Sequence, residues 1–371
     1  MMMNRRHLLS LTATGVAVTV LGRYGVQPAN AADTVRWVSP RGTIEVLDDF
    51  PFWVAKKFGY FGDIETVFEP GPSDSTATVK LVDQGSADVG YPAPGVFSLS
   101  IAQDIPLVSV FAMGAGDVFD FAFRKGEALK DVKELEGKTI VVGNESWRSI
   151  TDPMLKAAGL DISTLKYASA GWPTWGTALK EGHGDAAMTW EGLRAQWKGQ
   201  GLDFDYLLGQ NFSKLPSNSF VIRRADFEDP GKKALYAKYM KGWAAGLEFT
   251  RRNPRAATQI VMEVFPTLES QMTPPVATEA LMQSARVFGA REEERNGKWG
   301  FHILPAWQLF FDTAREIGQI STQIDAASVL SNDLVDEAND LDRDKIFADA
   351  DGYALNADYT AVDVEAIKAA L

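Results

Sequence analysis

Beyond residue 32, two apolar periods take turns along the chain. "TVRWVS" (residues 34–39) is a run of strand length with mixed faces. "FWVAKKFGYF" instead spaces Phe52, Ala55 and Phe58 onto one helical face and stops at Gly59. "ETVFEP" reads as a short strand ended by Pro70. "DSTATVKLVDQGSADVGYP" reads as a helix to Gln84, a Gly85 cap and the strand "ADVGY", and "DIPLVSVFAM" as another apolar strand. Repetition of strand, helix and strand predicts parallel α/β layers.

The rhythm then restarts. "ELEGKTIVVGNESWRSITDPMLKAAGLD" predicts a strand over residues 138–143, a loop, and a helix beginning near Asp152. Asp152 suits the N-cap, Pro153 the first helical position and Gly159 the stop. Further on, "LKEGHGDAAMTW" echoes "LVDQGSADVGYP": a helix end, a glycine turn, an acid and a short strand. Two lobes of similar design are expected, with strand ends meeting at a shared cleft.

The first 31 residues follow a different pattern. Arg5 and Arg6 precede an apolar stretch from Leu8 to Leu21, and Ala29-Asn30-Ala31 supplies small residues. That order predicts a cleavable export signal over residues 1–31, and the paired arginines resemble a twin-arginine signal. A disordered start or a membrane anchor is the alternative. No later stretch is apolar enough to span a bilayer, so the mature protein is expected free in the periplasm, without membrane insertion.

Charge and composition narrow the partners. At 371 residues there is room for two lobes with sizeable cores. A net charge of −12 argues against nucleic acid or an anionic membrane surface. Zero cysteines exclude a disulfide, a thiol nucleophile, a thiolate metal site and a lipid-modified cysteine after the signal. Neither His183 nor His302 has a second histidine at ligand spacing, and no nucleophile elbow or phosphate-cradling loop occurs. Asp349 and Asp351 precede Gly352, but Phe347 stands where a calcium loop needs its first ligand. The expectation is therefore no metal, no cofactor and no catalytic residue, with the acidic end packing as a surface extension.

Several stretches taken in order resemble a known group: "FWVAKKFGYF", "QGSADVGYPAPG", "LEGKTIVV", "AAGLD", "EGHGDAAMTWEG", "AREIGQI" and "LSNDLVDEAND". They are similar to the substrate-binding proteins of ABC importers, in the branch that takes nitrate, taurine, alkanesulfonates and thiamine-precursor pyrimidines. The resemblance implies an α/β fold of the type II periplasmic binding protein kind, two α/β lobes joined by two crossover strands. It implies lobe one over residues 33–116 plus 223–371 and lobe two over 117–222. It also implies capture of a small organic ligand by hinge closure, a monomer, and an ABC permease in the inner membrane as partner. An enzyme shares the fold, the thiamine-pyrimidine synthase. Its resemblance depends on a cysteine-rich motif that this chain lacks.

The resemblance also implies where the ligand sits, at strand ends and helix starts. Phe52 and Trp53 open the first helix and serve either as core or as a wall of the slot. Pro92, Ala93 and Pro94 form a rigid turn beside exposed backbone donors at a helix start. Phe119 and Asp120 lie by the first crossover; Asp120 is either a ligand acceptor or a loop charge. Ser146, Trp147, Arg148 and Ser149, in "NESWRSI", follow a strand and precede a helix, so Arg148 suits an oxyanion. Trp190 and Glu191 end a strand of lobe two, with Trp172 and Asn218 as weaker candidates. Arg148 favours a sulfonate or carboxylate; the rings with Asp120 and Glu191 favour a flat ring or a cationic nitrogen. Asp48 and Asp49 read as ordinary solvated loop charges.

Overall fold

The computed structural model describes residues 33–71, 75–171 and 173–371. The expected signal, residues 1–31, and Trp172 lie outside them. The chain opens with β1 (Thr34–Val38), α1 (Phe50–Phe58), β2 (Glu65–Glu69), α2 (Ser75–Asp83), α3 (Pro94–Ala102) and β3 (Leu107–Ala112). Helix α1 forms as its pattern predicts. Pro51 occupies the first turn, Phe52 and Ala55 are buried, and Gly59 caps the end at φ 69° with its N–H on the carbonyls of Ala55 and Lys56.

Next come β4 (Phe119–Arg124), β5 (Thr139–Val142), α4 (Arg148–Ala157), β6 (Lys166–Ser169), α5 (Trp175–Lys180), β7 (Ala186–Trp190), α6 (Leu193–Gly199) and β8 (Phe204–Leu208). The chain then returns through β9 (Ser219–Arg223) to α7 (Arg224–Glu228), α8 (Pro230–Arg252), α9 (Pro254–Val264), α10 (Pro274–Phe288) and α11 (Leu304–Glu316).

Strands β6-β5-β7-β4-β8 make one five-stranded sheet, while β1 pairs with β2 and β3 with β9. Bridges from Trp37 to Val89 and from Gly90 to Val221 join those two pairs, so "ADVGY" contributes two bridging residues rather than a full strand. The layers are not purely parallel. β1–β2, β5–β6 and β5–β7 run parallel, but β3–β9, β4–β7 and β4–β8 are antiparallel. The reason is that the chain passes between the sheets twice, at residues 113–118 and 209–218, and each passage returns its strand against the other.

Asp117 ties the two passages together. It is 3% exposed, accepts the Phe119 N–H at 3.1 Å, and accepts the Ser213 hydroxyl from the second passage. Burial pushes its carboxyl up to about 7, against the lowering effect of those two donors. Its folded value thus lies above the ordinary 3.8. Between those values the folded protein holds a proton that the unfolded chain has lost, so this group's contribution to stability declines as pH rises through that window. Asp117→Asn removes the decline. Relative to wild type, the variant should gain about 1 kcal/mol or more between pH 4 and pH 7, read from urea midpoints across that range.

Helix α4 begins at Arg148 rather than near Asp152, and Pro153 lies inside it. Pro153 has no N–H for the Ser149 carbonyl one turn back, and the Gln319 side-chain amide donates to that carbonyl at 3.3 Å instead. Freed from capping, Asp152 accepts the Tyr167 hydroxyl and pairs with Arg148.

The largest core cluster packs α1 against α8. Gly246 and Gly242 permit the contact, since a Cβ on them would meet the Pro51 carbonyl at 2.1 Å and the Phe61 ring at 2.3 Å. The acidic end packs against α8. The helix Arg343–Asp351 buries Ile346 and Ala350 in the same cluster, and Arg252 grips Asp351 through two bonds of 2.8 and 2.6 Å. Among the described residues, no three His, Asp or Glu side chains gather as a metal site, and no helix is long and apolar enough to cross a membrane.

Candidate functional site

A cavity of about 600 Å³ takes its lining from the loop between β1 and α1, the segment before α3, the five-stranded sheet with its loops, the second passage and α10. Arg41, Thr43, Asp48, Tyr91 and Ala93 come from the β1–β3 part of the chain. Val118, Phe119, Gly143, Asn144, Trp147, Ile150, Met188, Trp190 and Glu191 come from the five-stranded sheet and its loops. Asn218 comes from the second passage, and Ser284 and Phe288 from α10. Most of these positions follow a strand or precede a helix, where side chains of neighbouring segments converge.

The aromatic wall is built from the sequence upward. Asn144 accepts the Ser146 N–H at 2.8 Å and starts a short 3₁₀ turn, which folds Trp147 back over Gly143. A Cβ at Gly143 would come within 2.6 Å of that indole, so only glycine lets the ring lie there. Trp147 meets Trp190 edge to face at 5.8 Å and Trp175 at 5.4 Å, while Trp175 and Trp190 stack at 5.7 Å. Trp175 is buried and donates its indole N–H to the Met188 carbonyl, so the two half-buried rings lean on a fixed one.

Two charged clusters flank this wall. Glu191 is 2% exposed and fully engaged: Arg194 donates at 2.8 Å, Arg286 at 2.9 Å and Gln210 at 3.0 Å. Opposite, Arg41 donates to Asp49 and stands 3.8 Å from Asp48. Asp48 and Asp49 are therefore not solvated loop charges. Asp49 is 2% exposed although it precedes α1, because its carboxylate turns to Arg41 instead of capping the helix. Burial raises the Asp48 carboxyl to about 6, with Arg41 opposing and Asp49 adding to the rise.

Of the residues singled out from the sequence, Ala93, Phe119, Trp147, Trp190, Glu191 and Asn218 come together in this lining. The others stand elsewhere. Phe52 is fully buried among Trp37, Phe61, Phe68 and Trp243. Trp53 packs edge-on to Phe265 at 5.0 Å and does not join the cavity lining. Pro92 and Pro94 flank Ala93 without joining the lining, Pro94 as the first residue of α3. Asp120 is completely buried and accepts the Gly209 N–H at 2.8 Å; burial first, and then Glu191, raises its carboxyl. Ser146 and Ser149 stay outside the lining.

Arg148 is half-exposed. It pairs with Glu145 at 3.3 Å and Asp152 at 3.2 Å and lies over the Tyr167 ring. Both partners are carboxylates within one turn of it, so its charge is spent locally. Arg148→Ala is expected to change stability by no more than about 1 kcal/mol and solute affinity by less than about twofold, as urea unfolding and calorimetry on the variant would read.

Sequence reasoning missed Arg41, Asp48, Tyr91, Ser284 and Phe288. An arginine placed shortly before an acid pair at a helix start was the available signal for the first two. Ser284 and Phe288, one turn apart on α10, look like any packed helical face.

No curated protein matches the chain by sequence. Solved structures with the same fold are numerous. The alkanesulfonate-binding protein SsuA of Xanthomonas axonopodis pv. citri, bound to MOPS, superposes with a TM-score of 0.60 at 14% identity, over 81% of this chain and 99% of that one. The periplasmic aliphatic sulphonate binding protein SsuA of Escherichia coli gives 0.61 at 15%, over 81% and 92%. The Candida albicans CA3427 product, described as having the generic periplasmic binding protein fold, gives 0.54 at 13%, over 81% and 96%. Identities this low establish the fold: α/β, of the periplasmic binding protein kind. Sequence kinship is carried by residues 48–257, which run from the Asp48 wall of the cavity past the Asn218 wall and match the model described as NMT1/THI5 like; with more than half of the chain covered, this protein belongs to the NMT1/THI5-like family.

Proposed function

We propose that the chain is the substrate-binding component of an ABC importer, exported to the periplasm, which captures a small organic solute between two lobes and presents it to a membrane permease. The observation that carries this reading is the cavity itself. Its volume suits a small organic molecule, its walls are mainly aromatic and apolar, and its lining comes from chain segments on either side of both passages. The sulfonate-binding descriptions of the Xanthomonas and Escherichia coli proteins support the same role.

In this reading, residues 33–116 plus 223–371 form one lobe and 117–222 the other. The passages at residues 113–118 and 209–218 act as the hinge, and the ligand stabilises the closed arrangement. Contacts that cross the cleft would then form on closure: Ser284 donating to the Glu191 carbonyl at 3.1 Å, the Ala195 N–H on Gln283 at 3.2 Å, and Arg286 on Glu191.

A thermal-shift screen of small organic solutes tests the role. A true ligand at about a hundred times its dissociation constant stabilises by about 2.7 kcal/mol and raises the melting temperature visibly. A panel spanning cations, neutrals and anions that leaves the melting temperature unmoved would defeat it.

A further inference from the structure

The polar half of the cavity has an unequal charge account. Arg41 is the one cation among the described residues that line it, and both ends of its guanidinium already face carboxylates: Asp49 as a hydrogen-bond acceptor, Asp48 at 3.8 Å. Glu191 is already paired with two arginines. One of its oxygens takes Gln210 and Arg286, the other Arg194. Asp48 is different. It lines the cavity with its side chain 18% exposed, and accepts no hydrogen bond from any described residue. A carboxylate so placed has lost most of its water and gained only a shared, loose counter-ion.

Resting on the substrate-binding reading above, we propose that the solute is an organic cation, its ammonium or amidinium group on the Asp48 carboxylate and its apolar body against Trp147 and Trp190. A cation there supplies the donors that Asp48 lacks, and the indole faces add cation–π attraction. An anion would have to displace Asp49 from Arg41 while lying beside Asp48, with no other cation among the described lining residues to receive it. The Asp48 carboxyl, raised by burial to about 6, agrees with a group that lacks a full positive partner. This departs from the sulfonates named for the structural neighbours, whose identity to this chain is 14–15%.

Calorimetry with benzamidine and phenethylamine as cations, benzamide as the neutral isostere and benzenesulfonate as the anion tests the assignment on wild type and Asp48→Asn. The cations should bind at least about tenfold more tightly than benzamide or benzenesulfonate, and Asp48→Asn should bring that ratio close to one. Benzenesulfonate binding more tightly than the amines overturns the cation assignment and leaves solute capture standing. So does a cation preference that survives in Asp48→Asn. Cations that fail to bind while other organic solutes raise the melting temperature overturn it equally. If none of the probes binds and the thermal-shift screen is blank as well, the substrate-binding reading falls with it.

Discussion

Glu191→Ala should destabilise the protein by about 3–5 kcal/mol, because it removes the single acid that holds three donors together in a dry place. Its side chain is 1% exposed, whereas Arg194 and Arg286 are 16% and 31% exposed. Arg194 would be left beside the buried Asp120, whose carboxyl burial raises, and Arg286 would keep only its bond to the Leu371 oxygen. Water can reach them in part, which places the expected loss toward the lower end of the range. Glu191→Gln keeps the shape and one acceptor, and should lose less, since charge-assisted bonds are worth about twice their neutral counterparts. Urea unfolding read by tryptophan fluorescence would give both values, provided that the slopes match wild type. A Glu191→Ala midpoint within error of wild type would mean the cluster contributes nothing net.

Trp37→Ala should cost a similar amount, about 3–5 kcal/mol, by a different route: a large cavity in the middle of the core. Trp37 is fully buried, stacked on Phe68 at 4.0 Å and edge-on to Trp243 at 4.7 Å and Phe220 at 5.7 Å. Tyr91, which lines the cavity, leans on the same indole at 6.2 Å. The variant should therefore lose solute affinity as well as stability, although Trp37 touches no solute. Trp37→Phe separates the two effects of size and polarity. The indole N–H of Trp37 has no hydrogen-bond partner among the described residues, so phenylalanine forfeits volume but no bond and should cost less than half as much as alanine.

The alternation of short strands and glycine-ended helices carried the α/β class, because burial patterns are written locally at periods of 2 and 3.6. The wall formed by Trp147 and Trp190 was legible for a related reason: each closes a strand–loop–helix junction, and open sheets gather such junctions at one cleft. Phe52 was not separable from a wall residue, since a ring opening a helix packs inward or outward according to its tertiary neighbours, here Trp37 and Trp243. Arg148 misled for the opposite reason. Its position at a helix start suits an anion, yet Glu145 and Asp152 lie one turn to either side and take its charge. Asp48 stayed hidden because burial is not a local property, and Arg41 reaches it across a loop rather than along a helix.

Capture by closure has one direct test: small-angle scattering of the exhaustively dialysed protein, titrated with a solute that raises its melting temperature, with the solute recovered and identified afterwards. The account predicts a smaller radius of gyration at saturation and a solute returned chemically unchanged. A bound solute that leaves the radius as it was, or that comes back converted, would contradict it.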